Sequence, residues 1–139
     1  MRLKCIHTSL TREQERDLGR AYRADQDFHV TIGREYVAMG LNFSMNSNVH
    51  GTGVWVHLVT DFGNLAWAPV QLFDIIDARV SKYWIARQLD HVFTLWPESF
   101  YRQFYHDDLL EGVPEVVNDF QRVRSLLEAE AASPEAAAL

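Results

Sequence analysis

The sequence has a single cysteine and no long apolar run, and both shortages narrow what the chain can be. Cys5 has no second cysteine with which to form an intramolecular disulfide, which fits a reducing compartment, most simply the cytoplasm. No segment approaches the roughly 18–20 apolar residues of a membrane-spanning helix. Met1 to Lys4 is not followed by the apolar segment of a secretory signal. We therefore expect a cytoplasmic protein without a membrane partner.

Motifs that would fix a reaction are also missing. Gly51-Thr52-Gly53 lacks the lysine of a phosphate-binding loop and opens a predicted strand, not a helix. His106-Asp107-Asp108 offers metal-ligand side chains, but consecutive helical residues point about 100° apart and cannot share one ion within a helix. We therefore predict no metal site and no cofactor, and the sequence favours a non-catalytic protein.

The composition is that of an average soluble domain. The 139 residues are 47% hydrophobic and 23% charged, values that exclude collagen-like, disordered and disulfide-scaffold proteins. A single domain of about 100–150 residues accounts for this length. We place that domain at residues 1–131 and predict a flexible tail at 132–139, because no useful apolar pattern continues there.

The negative charge is concentrated at one end of the chain. The net charge is +1 in residues 1–60, −1 in residues 61–97 and −6 in residues 98–139. A strongly negative segment repels phosphate, so we do not expect a nucleic acid partner. It attracts a positively charged protein and raises the association rate. The simpler interpretation is that these acids only keep a surface helix in solution.

Turn and capping residues divide the chain into short elements. Thr11 and Gln14 have the spacing of a capping box, which predicts a short helix that ends near Gly19. Apolar residues at helical spacing after Pro97 and Pro114 predict two C-terminal helices. Alternating apolar residues predict strands at 28–32, 36–43, 54–59, 65–68, 78–85 and 92–96. An apolar stripe predicts that the last helix packs on the sheet. The stripe consists of Val116, Val117, Phe120, Val123, Leu126 and Leu127.

One segment resembles the end of an SH3-like barrel. The segment is Trp67-Ala68-Pro69-Val70-Gln71-Leu72-Phe73-Asp74-Ile75-Ile76. In that fold a strand reaches a proline, passes one 3₁₀ turn and enters a last strand, and Pro69 suits this place because it lacks an N–H group and fixes φ. We therefore expect an α+β fold: a small antiparallel SH3-like barrel or strongly curved sheet, with a short N-terminal helix and two C-terminal helices.

Several stretches resemble a group of small bacterial proteins that are similar to the immunity proteins accompanying secreted toxins. The stretches are Leu72-Phe73-Asp74-Ile75-Ile76-Asp77, Val80-Ser81-Lys82-Tyr83-Trp84, Leu95-Trp96-Pro97-Glu98-Ser99-Phe100-Tyr101 and His106-Asp107-Asp108-Leu109. The resemblance implies a cytoplasmic protein that neutralises a toxin by occluding it. It implies no particular site residues.

The candidate partner-binding residues are one tryptophan and five carboxylates. Trp55 lies on the strand face opposite Val54, Val56 and Leu58, so it is at least partly exposed if those residues face the core, and exposed tryptophan is enriched at interfaces. The alternative is that one of the terminal helices covers it. The carboxylates would steer a basic toxin domain towards the negative end of the chain. They are Asp107, Asp108, Glu111, Glu115 and Asp119.

The alternative hypothesis is a small enzyme or ligand-binding barrel with a histidine-containing pocket at the barrel mouth. It requires polar side chains from separate strands to converge, such as His57 with Asp61 or His91. The sequence leaves the oligomeric state and the identity of the partner open.

Overall fold

Two antiparallel sheets and three α-helices make up the part of the chain that the computed structural model describes, which is residues 1–19, 26–47 and 51–133. The elements are β1 (Arg2–Cys5), α1 (Arg12–Asp17), β2 (Glu35–Val37), β3 (Gly40–Ser47), β4 (Gly51–Val59), β5 (Leu65–Pro69), β6 (Phe73–Asp77), β7 (Trp84–Leu89), β8 (Val92–Pro97), α2 (Tyr105–Leu110) and α3 (Pro114–Ala131). Two 3₁₀ turns lie at Val70–Leu72 and Glu98–Tyr101. The predicted α+β class is confirmed.

The strands divide unequally between the two sheets. One sheet has the order β2-β1-β6 and the other has the order β5-β4-β3-β8-β7. The chain leaves the larger sheet at Pro69, passes the 3₁₀ turn and enters β6 in the smaller sheet. The predicted sequence of strand, proline, 3₁₀ turn and strand is therefore present. The two sheets do not close into one barrel within the described residues, so the SH3-like barrel stays a prediction.

The predictions that rest on capping chemistry are confirmed for α1 and α3, whereas the helix predicted after Pro97 is wrong at its start: a 3₁₀ turn lies there, and α2 begins only at Tyr105, after Phe104 with a left-handed φ of +62°. The Thr11 hydroxyl accepts a hydrogen bond from the Gln14 N–H at 3.1 Å, and the Gln14 side chain accepts one from the Thr11 N–H at 2.9 Å. Helix α1 ends at Asp17, and Gly19 follows with φ +76°. Helix α3 begins at Pro114, as predicted. The predicted tail begins at residue 132, but residues 134–139 lie outside the described part of the chain.

Two of the predicted strands are wrong, and a third, at 36–43, is divided between β2 and β3, which belong to different sheets. The segment 28–32 is irregular, because His29 adopts φ +58° and the backbone N–H of Thr31 bonds to the Tyr36 hydroxyl instead of to a strand. The strand predicted at 78–85 begins only at Trp84. Before it, the Asp77 and Ser81 side chains accept hydrogen bonds from backbone N–H groups two residues further on, which is turn chemistry.

Strand β4 runs through the core with both of its faces covered. Trp55, Val56, His57 and Leu58 are consecutive and are all at most 2% exposed. Successive residues of a strand point to opposite faces, so each face has its own covering layer. The prediction that Trp55 is partly exposed is wrong, because it assumed that only the valine face of this strand is buried.

Helix α3 packs through a stripe that is slightly narrower than predicted. The buried residues are Val116, Phe120, Val123, Leu127 and Ala131. Leu126 is 37% exposed and Val117 is half-buried. Phe120 lies against Phe100, with ring centroids 6.2 Å apart. This contact fixes α3 to the 3₁₀ turn that follows β8.

Candidate binding site

The predicted carboxylates lie on α2, α3 and the tight turn that joins the two helices. Helix α2 ends at Leu110, and the chain turns at Gly112, whose φ is +76°. The turn is closed by hydrogen bonds from the Gly112 N–H to the Leu109 carbonyl and from the Val113 N–H to the Asp108 carbonyl. The two helices are in contact, so their acidic residues belong to one region of the surface.

Four of the five carboxylates have no cationic partner in the part of the chain that the structure describes. Asp107, Glu111 and Glu115 are exposed and Asp108 is half-buried. Within residues 1–19, 26–47 and 51–133, none of the four forms a salt bridge. Their negative charge is therefore not neutralised locally and acts on the surrounding solvent. We call Asp107, Asp108, Glu111 and Glu115 the acidic surface.

Asp119 has a different role from the other four. Its carboxylate accepts hydrogen bonds from the Tyr105 hydroxyl at 2.8 Å and from the Arg122 guanidinium at 2.9 Å. Burial opposes ionisation of Asp119, but the hydrogen bonds, led by that of Arg122, outweigh it and lower its pKa. Burial and the bond to Asp119 raise the pKa of Tyr105. Asp119 therefore links α3 to α2, and its charge is largely compensated.

An exposed leucine lies beside the acidic surface. Leu110, the last residue of α2, is 82% exposed, which is the highest value among the large hydrophobic residues of the described chain. It borders a cleft of about 260 Å³. The cleft is lined by Gly63, Asn64, Leu65, His106, Leu109, Leu110, Val117, Phe120 and Gln121. Glu111 of the acidic surface directly follows Leu110 in the chain, and an apolar centre with a polar rim is the usual anatomy of a protein-binding surface.

A stack of aromatic rings supports the cleft from the core side. The His57 ring lies 3.8 Å from Trp67, nearly parallel to it, and 4.8 Å from His106. Burial lowers the pKa of His106 and outweighs the opposite effect of Asp107. Burial therefore favours the neutral form of the His106 imidazole. Its Nε2 atom has no hydrogen-bond partner among the described residues, so the ring contributes packing more than hydrogen bonding.

The polar residues of the alternative hypothesis have other surroundings. His57 is buried in the ring stack, and Asp61 accepts hydrogen bonds from Thr31, Arg34 and Tyr36. His91 lies in the β7–β8 turn, whereas Asp61 follows β4 near the opposite edge of the sheet. The described structure therefore does not assemble a pocket from these three residues.

The described residues contain no cluster of three or more histidine, cysteine, aspartate or glutamate side chains that could hold a metal ion. None of the helices in the described ranges has the length and apolar composition needed to cross a membrane.

Comparison of the chain with protein-family models, with curated proteins and with solved structures finds no match. The resemblance to immunity proteins therefore stays an expectation, and the functional interpretation depends on the surface itself.

Trp55, which the sequence suggested as a contact residue, is buried, whereas Leu110, which it did not suggest, is exposed. Trp55 is 2% exposed and cannot reach a partner without rearrangement of the core. Leu110 lies outside the apolar stripe of α3 and between the acidic residues Asp108 and Glu111. A pair of leucines, Leu109 and Leu110, between carboxylates at a helix end is the signal that could have identified it.

Proposed function

We propose that this protein is a non-catalytic binding protein, most specifically a cytoplasmic immunity protein that neutralises a basic toxin domain by occluding it. The proposal rests mainly on Leu110, which is exposed at the edge of an apolar cleft and is bordered by carboxylates without a counter-ion in the described structure. This combination suits a partner that has basic side chains around an apolar one.

Binding in this scheme has an electrostatic and an apolar step. The acidic surface attracts the basic partner over about 8–10 Å at physiological salt, the screening distance for exposed charges. Steering of this kind raises the association rate. Covering Leu110 then contributes about 1.5–3 kcal/mol, the value for burial of a leucine side chain. The helices α2 and α3 would cover the active cleft of the toxin.

The chemistry of the surface selects among classes of partner. Carboxylates repel phosphate groups, so a nucleic acid is a poor ligand for this surface. A toxin that itself acts on nucleic acid has a basic cleft, and that cleft is the natural complement of the acidic surface.

We also propose that β5, Pro69, the 3₁₀ turn and β6 correspond to the end of an SH3-like barrel, which the order of these elements supports.

Co-expression in a bacterial host tests the function. The protein encoded next to this one should be toxic when expressed alone and tolerated when this chain is present. The variant with Asp107→Asn, Glu111→Gln and Glu115→Gln should lose protection, because it lacks the charges that steer the toxin.

A matched variant controls for the loss of negative charge alone. Glu13, Asp17 and Asp74 are exposed carboxylates on α1 and β6. Their replacement by amides changes the net charge equally and should leave protection intact. The proposal is wrong if the neighbouring protein is neither toxic nor bound, or if the two triple variants protect equally well.

A further inference from the structure

Strand β7 is an open edge of the five-stranded sheet. Its only strand neighbour within the described residues is β8. Residues Ile85 to Leu89 are all exposed, and the strand contains no proline and one charged residue, Arg87. Natural edge strands usually have prolines, several charges or a covering element that prevent pairing with another chain. β7 has few of these protections.

Two cavities lie along the same face of this edge strand. Ile85 lines a cavity of about 490 Å³, which is also lined by Val123 and Leu126 of α3. Arg87 and Leu89 line a second cavity of about 310 Å³. Residues 85, 87 and 89 alternate and therefore point to one side of the sheet, about 7 Å apart. A strand added beside β7 would place its own alternate side chains at the same spacing.

The walls of the second cavity are fixed in position. The Tyr101 hydroxyl donates a hydrogen bond to the Ile85 carbonyl at 2.6 Å, and the Arg87 guanidinium lies 4.2 Å from the centre of the Tyr101 ring. Phe104 also lines this cavity, with a 63% exposed ring and a left-handed φ of +62°. Such strain in a bulky residue is concentrated at ligand sites.

The groove formed by the two cavities has more cationic side chains than carboxylates. Four cationic side chains line the two cavities, and two carboxylates, Glu98 and Asp107, line them as well. One of the cations, Arg122, is paired with Asp119. The other three are Lys82, Arg87 and Arg102. An extended segment with acidic residues would therefore complement this groove.

We propose that β7 accepts an extended acidic segment of a partner protein as an additional antiparallel strand. Backbone hydrogen bonds to the free edge would hold the segment, and its alternate apolar side chains would enter the two cavities. This proposal goes beyond the proposed immunity function, because it concerns the free edge of β7 and the two cavities beside it, although Asp107 of the acidic surface also lines the second cavity.

Fluorescence anisotropy with a labelled ten-residue peptide of alternating glutamate and valine tests this proposal. We expect saturable binding, with an affinity lower by about tenfold or more for a lysine–valine peptide and for a peptide with prolines in place of the central glutamates. Hydrogen exchange of the β7 amides should slow when the glutamate peptide is added.

Substitutions in the groove locate the binding site. Leu126→Glu places a carboxylate at the first cavity, and Arg87→Glu reverses the charge at the second. Each should weaken binding of the glutamate peptide about tenfold or more, whereas Leu110→Glu on the exposed end of α2 should not. Circular dichroism would verify that each variant is folded.

Four results would overturn the proposal. They are the absence of saturation at millimolar peptide, equal affinity for the lysine peptide, unchanged binding in both groove variants, and a wild-type dimer that Leu126→Glu dissociates. The last result would mean that a second copy of this chain occupies the edge.

Discussion

Replacing Phe120 with alanine tests whether the stripe of α3 that contains it packs into the core. Phe120 is 3% exposed, and its ring packs on Phe100, which in turn lies 5.9 Å from His57. The substitution removes an aromatic ring from a region where the rings of Phe120, Phe100 and His57 pack in succession. The surrounding rings cannot easily move to fill the cavity that is left. The free energy of unfolding should therefore fall by about 3–5 kcal/mol, the range for phenylalanine to alanine in a core.

Urea denaturation followed by circular dichroism measures this loss. For a chain of 139 residues, a loss of about 3–5 kcal/mol in the free energy of unfolding corresponds to a decrease of roughly 10–20 °C in melting temperature. Leu126→Ala on the same helix is the matched control, since Leu126 is 37% exposed and its truncation should cost less than about 1 kcal/mol. Equal losses in the two variants would refute the assignment of the buried face of α3.

Three further predictions concern ionisable groups. Hydrogen bonds from Arg79 lower the pKa of Asp77 from 3.8 to about 2. The ionised Asp77 therefore adds about 1–2 kcal/mol to the free energy of unfolding. This stabilisation is complete above the pKa of the unfolded state and is lost as the pH falls through about 2. In urea denaturation at a series of pH values, Asp77→Asn should therefore flatten the dependence of the unfolding free energy on pH between about 4 and 2, and an unchanged slope would contradict this. Tyr105→Phe should cost about 1–2 kcal/mol by removing the hydrogen bond to Asp119, whereas Glu115→Gln should cost almost nothing in thermal unfolding. Equal costs would argue against a structural role for Asp119. The pKa of His106 measured by NMR titration should lie below 6.5 because the ring is buried, and a value above 6.5 would show that the ring is hydrated or paired.

Features set by neighbouring residues could be predicted from the sequence. The capping box of Thr11 and Gln14 and the break between helices at Gly112 and Pro114 both depend on local chemistry. Pro69 likewise marked the point where β5 ends and the 3₁₀ turn begins. Each of these signals lies within a few residues of the feature that it predicts.

Features set by long-range packing could not be predicted in the same way. Phe28 and Val30 alternate like a strand, but the His29 carbonyl accepts a hydrogen bond from the backbone N–H of Asp61 and the Thr31 N–H bonds to the Tyr36 hydroxyl, so the segment joins no sheet. Trp55 could be assigned to a strand, but the layer that covers its face is not encoded in β4. An alternating pattern indicates which residues share a face and does not show whether both faces are covered.

The candidate site was predicted in part for the same reason. The sequence showed where the charge lies, and the structure places Asp107, Glu111 and Glu115 at the surface. It could not show that Tyr105 and Arg122 engage Asp119, because the bond from Tyr105 needs the turn between α2 and α3. The stack of His57 on Trp67 and His106 also depends on the sheet and on the packing of α2 against it.

The most direct test of the proposed function is the rate of association with the toxin that the chain protects against, measured by stopped-flow at several salt concentrations. For the wild type we predict a rate constant that falls about tenfold or more between low and 0.3 M salt. The variant with Asp107→Asn, Glu111→Gln and Glu115→Gln should associate slowly at every salt concentration. Equal rates and equal salt dependence for the two proteins would contradict docking through the acidic surface.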